Sequence, residues 1–459
     1  MNTAAAVASA PGALPLLGHG LRLVRDPLAF LSSLPAHGDL VRVGLGPHRV
    51  VMVCDPQLTR QVLLDTATFD KGGPLYDRLG ELLGRGLATC PAGEHRRLRR
   101  LSQPSFQPDR MAVYAGAMSD LAAGLADSWE HGQVVDVARE SNRLTTRILV
   151  RAMFSASADE RLHEHMIDDV ETVVRCVFRR SIAPEPVNRI PTRANRRYER
   201  ALSRMRGHLG DVIAARRADP ADHGDLLSAL LRAGESAGPD ADPALTEQEI
   251  ADQVMTFFVA GTKSTASTLA WALHLLATHP REQARIQDEA DRAPATGWAP
   301  TAGRAPGASP PALPEAEQVI TETLRLYPPG WLLTRQVTRD TTLGATPIAA
   351  GTTVAFSPWI LHRRPDLYPD PDRFVPGRWA TGQTRGAYIP FGAGARQCIG
   401  GRFAVTEMAL ALTHIASRWQ LVPAGRAPRV AAEAALVPQG LRLRVLARDP
   451  ARRDPAGRA

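Results

Sequence analysis

Apolar residues recur along this chain with two different periods, and the change from one to the other marks out its elements. Leu40-Val-Arg-Val-Gly-Leu45 and Arg49-Val-Val-Met-Val-Cys54 predict a β-hairpin. They follow a turn-rich entry, Gly12-Ala-Leu-Pro-Leu-Leu-Gly18, and a helix. From about residue 110 to about 280 helical spacing dominates. Short strands return over 335–362, interrupted by Gly344 and Gly351. A long helix after Gly400 and a strand pair near 430–447 close the chain. The pattern is mainly α with a smaller β region. Residues 292–314 are rich in Pro and Gly and predict a surface loop. Residues 1–11 and 448–459 are expected to be disordered. None of these stretches separates independently foldable halves, so residues 1–459 are expected to form one domain.

The longest predicted helix is the most informative. Thr246-Glu-Gln-Glu249 has the form of a capping box ahead of an apolar run. Helix-compatible residues continue to about Thr278, and His279-Pro280 ends them. Such a rod is roughly 45 Å long, enough to cross a domain. Its middle is its weakest part: Gly261 costs about 1 kcal/mol relative to Ala, and nearby hydroxyls compete for backbone bonds. A gap there would suit a ligand lying against the helix. An ordinary core helix with one tolerated Gly explains the segment equally well.

Composition narrows the possibilities. Hydrophobic residues make up 44% of the chain, enough for a sizeable core. The net charge is +8, yet Lys occurs only at positions 71 and 263, and the Arg residues are dispersed. No basic stripe with interleaved aromatics exists, which argues against nucleic acid. A modest basic patch for an acidic protein partner fits better. Cys54, Cys90, Cys176 and Cys398 are far apart and form no C-x-x-C pair. They fit a reducing cytoplasm without disulfides. Ala4 to Ala10 is too short to span a bilayer and lacks basic residues ahead of it. No run reaches the ~18 apolar residues of a spanning helix, so a soluble protein is expected.

Chemistry concentrates in Phe391-Gly-Ala-Gly-Ala-Arg-Gln-Cys-Ile-Gly400. Its glycines allow tight bends and close approach of a flat ligand. Backbone N–H groups and the start of the next helix favour an anionic sulfur at Cys398. Taken alone, the run could also cradle phosphate, or Cys398 could be an apolar filler. Glu322 and Arg325, three apart on one helix face, are surrounded by apolar residues and predict a buried ion pair.

With these motifs in order, the chain is identified as resembling the cytochrome P-450 family. Phe391, Gly394, Arg396, Cys398 and Gly400 match F-x-x-G-x-R-x-C-x-G. Glu322 and Arg325 match E-x-x-R, and Pro371-Asp-Arg-Phe374 matches a downstream P-[ED]-R-F, making Arg373 the expected third member of a Glu-Arg-Arg cluster. The resemblance implies the family's triangular prism, with haem b between the central helix and the Cys398 loop. Cys398 would be the iron ligand. His95, Arg99, Arg335 and Arg396 would hold the haem propionates, although His95 also fits a solvated basic helix face. The implied activity is monooxygenation of a hydrophobic molecule with O₂ and two electrons. The chain carries no flavin or nicotinamide motif, so ferredoxin and ferredoxin reductase are the expected partners of a monomeric, cytoplasmic enzyme.

One departure concerns the oxygen side. The family follows Ala/Gly-Gly-x with an acid and Thr, whereas this chain has Ala260-Gly261-Thr262-Lys263-Ser264-Thr265. Ser264 keeps a hydroxyl able to hydrogen-bond O₂. Lys263 either faces solvent, leaving water with Ser264 or Thr265 to deliver protons, or shuttles protons itself. By analogy, the substrate wall comprises Leu75, Tyr76, Leu79, Val177, Phe178, Phe257, Phe258, Trp331, Leu332, Leu436 and Val437. Its lack of charge fits an apolar substrate. Pro329 to Arg335 and Leu14 to Gly20 are similar to bacterial sesquiterpene oxidases of the pentalenene oxygenase kind, so a cyclic terpene leads over a fatty acid or polyketide. A peroxide-dependent enzyme, an isomerase or a non-catalytic binding protein would also keep Cys398.

Overall fold

In the computed structural model, residues 7–46, 48–155, 168–170, 172–173, 176, 180, 185–219, 221–233, 243–292, 312–380 and 386–448 are described. Val177, Phe178, most of the expected 292–314 loop and all but Arg448 of the 448–459 tail lie outside them.

The N-terminal part carries β1 (Ala8–Ser9), α1 (Gly20–Arg25), α2 (Pro27–Ser33), β2 (Leu40–Leu45), β3 (His48–Val53), α3 (Pro56–Leu64), β4 (Phe69–Asp70) and α4 (Pro74–Leu83). The helical body follows: α5 (Ala92–Ser102), α6 (Pro108–Asp127), β5 (Val134–Asp136), α7 (Val137–Phe154), α8 (Arg193–Ala218), α9 (Leu226–Arg232), α10 (Glu247–Thr278), α11 (Pro280–Asp291) and α12 (Pro314–Leu326). The chain ends through β6 (Leu333–Val337), β7 (Thr341–Leu343), β8 (Thr346–Ile348), β9 (Thr353–Phe356), α13 (Gly401–Arg418), β10 (Trp419–Pro423), β11 (Arg429–Ala432), β12 (Leu436–Gln439) and β13 (Arg442–Ala447).

The expected hairpin is present, with β2 and β3 antiparallel and Leu40 opposite Val53. It belongs to a six-stranded sheet in the order β1-β2-β3-β9-β6-β4. This sheet brings β4 and β6, which are distant in sequence, edge to edge. Among the described residues no helix is long and apolar enough to cross a membrane.

Helix α10 runs through the body because most of its circumference is apolar or small. Thr246 and Glu249 close the capping box in both directions, and His279 ends the helix ahead of Pro280, as the sequence predicts. Three further contacts fix its start. Arg97 of α5 donates to Glu249 at 2.6 and 2.9 Å. Asp252 accepts from the Arg85 N–H at 2.8 Å, and Gln253 accepts from the Leu87 N–H at 3.0 Å. The segment leading to Cys90 is thereby held against α10.

Of the two readings of Gly261, the structure favours a packed helix over a gap. A Cβ there would meet the Leu149 side chain of α7 at 3.0 Å, so the glycine permits close helix packing. The opening lies one residue earlier. Ala260 is exposed although Val259 and Thr262 are buried.

Candidate active site

The cysteine loop follows from its glycines. Gly392 and Gly394 have φ of +70° and +67°, a region that L side chains rarely adopt. A Cβ at Gly394 would also come within 2.9 Å of the Leu63 carbonyl. The resulting bend lets the Cys398 N–H donate to the Phe391 carbonyl at 2.9 Å. Gly400 caps α13, so the positive end of that helix adjoins the sulfur. Cys398 is exposed to solvent, yet the protein packed around it pushes the thiol up, while the Gly400 N–H, Arg99 and Lys71 pull it down. Direct coordination to a metal cation would deprotonate it outright.

Five basic side chains surround this loop. Arg396 donates to the Cys90 carbonyl at 2.9 Å and to Asp70 at 2.7 Å. Arg335 donates to the Tyr76 hydroxyl at 3.2 Å and leaves its buried Nε without a partner. Arg99 donates to the Gln397 carbonyl. His95 is buried and is pushed down to about 3 by burial first, then by Arg396, Lys71 and Arg99.

Lys71, which sequence reasoning missed, donates to the Ala88 carbonyl at 2.7 Å. Burial, then Arg335 and Arg396, lowers it to about 7. Asp70 is the acid within this group, so positive charge is in excess. The orphaned Arg335 Nε and that excess fit the two carboxylates of a haem. The missed signal was available, because Lys71 is one of only two lysines in an arginine-rich chain.

Glu322 and Arg325 are fully buried, as the sequence predicts. Arg325 binds Glu322 with two bonds of 2.9 and 2.8 Å, and also donates to the carbonyls of His362, Pro371 and Arg373. Such complete pairing is what a buried ion pair requires. The expected third member is corrected. Arg373 turns its carbonyl inward, so its guanidinium points out, 75% exposed, toward Asp370. Arg378 takes the place, donating to Glu322 at 3.0 Å, beside the Trp379 indole at 2.9 Å.

At the part of α10 expected to face O₂, the Ser264 hydroxyl donates to the Ala260 carbonyl at 2.8 Å. Thr265 is buried. Lys263 lines a different space, a polar cleft with Asp136, Glu140, Asp168, Glu433 and Val437.

The expected substrate wall divides. Phe257 packs edge-on against Phe106 with ring centres 5.4 Å apart, and Leu79 joins the same cluster. Trp331, Leu332 and Leu436 share a second cluster. Phe258 and Leu436 are completely buried, so their side chains serve as core. Leu75 is half-buried on α4. Tyr76 turns toward Arg335 and Lys71 through its hydroxyl and ring face, and Val437 lies in the outer cleft beside Lys263.

The sequence profile described as Cytochrome P450 matches residues 9–443. This chain belongs to the cytochrome P450 family. Its P450 fold superposes on the haem domain of cytochrome P450DA with a TM-score of 0.83 and 27% identity, covering 98% of this chain and all of that one. It is 44% identical to a cyclooctat-9-en-7-ol 5-monooxygenase of Streptomyces melanosporofaciens, covering 90% of this chain and 89% of that protein. It is 41% identical to a cyclooctatin synthase from the same organism, over 90% of each chain. A pentalenene oxygenase of Streptomyces avermitilis is 39% identical, over 96% of this P450 and 98% of the relative. The protein is a monooxygenase that uses haem iron and O₂.

Proposed function

We propose that this P450 hydroxylates a cyclic terpene or its partly oxidised alcohol, holding haem b and receiving electrons from a ferredoxin and its reductase in the cytoplasm. The observation that carries the substrate class is its likeness, over nearly the whole chain, to three proteins whose names denote such chemistry. The apolar groups from Leu79, Phe257, Phe106 and Leu332 support it, because they offer shape and no charge.

Bound haem would supply O₂ activation, delivering one oxygen atom to a C–H bond and the other to water. The chain's own residues prepare for it. Cys398 would supply the sulfur that holds the haem iron, positioned by its Phe391 bond and the start of α13. Lys71, Arg99, Arg335 and Arg396 would provide the cationic edge for the propionates, with His95 as a neutral hydrogen-bonding partner beside them. On α10, exposed Ala260 leaves room, and the Ser264 hydroxyl can exchange its Ala260 bond for one to a water molecule, where it would hold a proton.

Spectral titration with cyclic terpene hydrocarbons and alcohols, fatty acids and macrolides tests the substrate class. A low-to-high-spin shift, followed by hydroxylated product with ferredoxin and reductase, is expected for the terpenes. A shift and turnover with fatty acids alone would reject the reading. Efficient turnover with peroxide and no reductase would favour the peroxygenase alternative.

A further inference from the structure

Of the eleven large apolar side chains exposed among the described residues, five lie between positions 14 and 24. They are Leu14, Leu16, Leu17, Leu21 and Val24. Such clustering departs from the single scattered apolar residues of an ordinary surface.

The segment is built to hold them out. Leu14 and Gly18 exchange two backbone bonds of 2.8 Å, which closes a tight loop with Leu16 at its tip. Leu16 is 94% exposed and has φ of +62°, an uncommon conformation for a bulky residue. Gly18 anchors the loop, since a Cβ there would collide with the Gly44 carbonyl at 2.4 Å. His19 locks the base: its Nδ1 accepts from the Gly44 N–H at 3.0 Å, and its Nε2 bonds the Ala10 carbonyl at 2.9 Å. Leu21 and Val24 then share the outer face of α1, while Leu23 faces the core.

The surroundings are basic. No acid precedes Asp26 in the chain. Asp26 itself is engaged in capping α2 by accepting from the Ala29 N–H. Arg22 and Arg25 are exposed on α1. Arg25 points outward; Arg22 sets its guanidinium over the Phe30 ring and one N–H on the Pro11 carbonyl at 3.0 Å, its other donors open. A protruding apolar tip with cations beside it is the combination that binds an anionic lipid surface: the side chains enter the acyl boundary while the guanidinium groups meet the headgroups. The tip projects as a convex knob, which suits a fluid bilayer better than a shaped protein groove.

We infer that residues 14–25 form a peripheral lipid-binding rim through which this P450 docks on anionic membrane surfaces. The inference is independent of which terpene the enzyme oxidises.

Co-sedimentation of the full-length holoprotein with phosphatidylglycerol–phosphatidylethanolamine vesicles tests it, with pure phosphatidylcholine vesicles alongside. Wild type is expected to pellet with the anionic vesicles and several-fold less with phosphatidylcholine. The Leu16→Asp/Leu17→Asp variant should lose about tenfold or more of that partitioning. Val430→Asp, which alters an exposed apolar residue elsewhere, should retain it. An unchanged ferrous–CO spectrum in both variants shows that the fold is intact. Equal pelleting of the double variant, or no pelleting of wild type, would overturn the rim. So would a wild-type dimer that ignores vesicles and becomes monomeric in the double variant, because the knob would then be a self-association surface.

Discussion

Lys263 and Ser264 are adjacent in the chain and face different spaces. The Ser264 hydroxyl turns back to the Ala260 carbonyl at the exposed part of α10, while Lys263 lies in the outer cleft with Glu140 and Glu433. Reversing the charge at Lys263 therefore alters the cleft more than the oxygen side. Lys263→Ala should change coupling of electrons to product by less than about threefold. Ser264→Ala should raise peroxide release on the order of tenfold, since a positioned proton donor is lost. Peroxide measured per electron consumed distinguishes the two, and a larger effect at Lys263 would restore it as a proton shuttle.

The Glu322 carboxylate gathers Arg325, Arg378, the Trp379 indole and the Val375 N–H. Arg378→Ala removes one charge-assisted partner from a fully buried acid and should cost about 3 kcal/mol. Arg373→Ala should stay within about 0.5 kcal/mol, because that side chain is exposed. Urea unfolding of the holoproteins provides the comparison. Equal losses would contradict the assignment of Arg378.

His362 is completely buried and must be neutral to make both its bonds. Its Nδ1–H donates to the Arg325 carbonyl at 3.2 Å, and its Nε2 accepts from the Ile389 N–H at 3.0 Å. Burial, then Arg325, pushes it down from 6.5 to about 3. The folded state thus resists protonation that the unfolded state accepts below 6.5. This stabilisation is complete above pH 6.5 and declines toward pH 3 by up to about 1.4 kcal/mol per unit. Wild type should lose stability faster than His362→Gln as pH falls below 6.5; parallel curves would contradict the buried neutral role.

Lys71 contributes to an excess of positive charge that an anionic cofactor edge would balance. Lys71→Met should speed haem loss to an external scavenger about tenfold, equivalent to one charge-assisted bond. The apoprotein should be no less stable than wild type, since a buried cation and its repulsion with Arg335 and Arg396 are gone. A destabilised apoprotein with unchanged haem retention would make Lys71 merely structural.

The sequence was most legible where structure is local. Thr246 and Glu249 announced the start of α10, and the neighbouring apolar runs of β2 and β3 set their own hairpin. The buried Glu322–Arg325 pair was legible too, because both members lie on one helix among apolar neighbours. Their third partner was not, since Pro371-Asp-Arg-Phe374 and Pro376-Gly-Arg-Trp379 both present an arginine before an aromatic residue. Only the turn of the Arg373 carbonyl toward Arg325 decides between them. Gly261 stayed ambiguous between a ligand gap and close packing for a similar reason. A helical glycine signals close approach, and Leu149 rather than a ligand makes it. Lys71 escaped notice because the edge-to-edge meeting of β4 and β6 that sets it near Arg335 depends on a non-local sheet.

The ferrous–CO difference spectrum of purified wild type and Cys398→His tests the assignment of the axial ligand most directly. Wild type is expected to show the red-shifted Soret band of thiolate-ligated haem. Cys398→His, if it retains haem, should show the shorter-wavelength band of imidazole ligation and lose monooxygenase turnover. A red-shifted band that persists in Cys398→His, or never appears in freshly prepared wild type, would contradict Cys398 as the axial ligand.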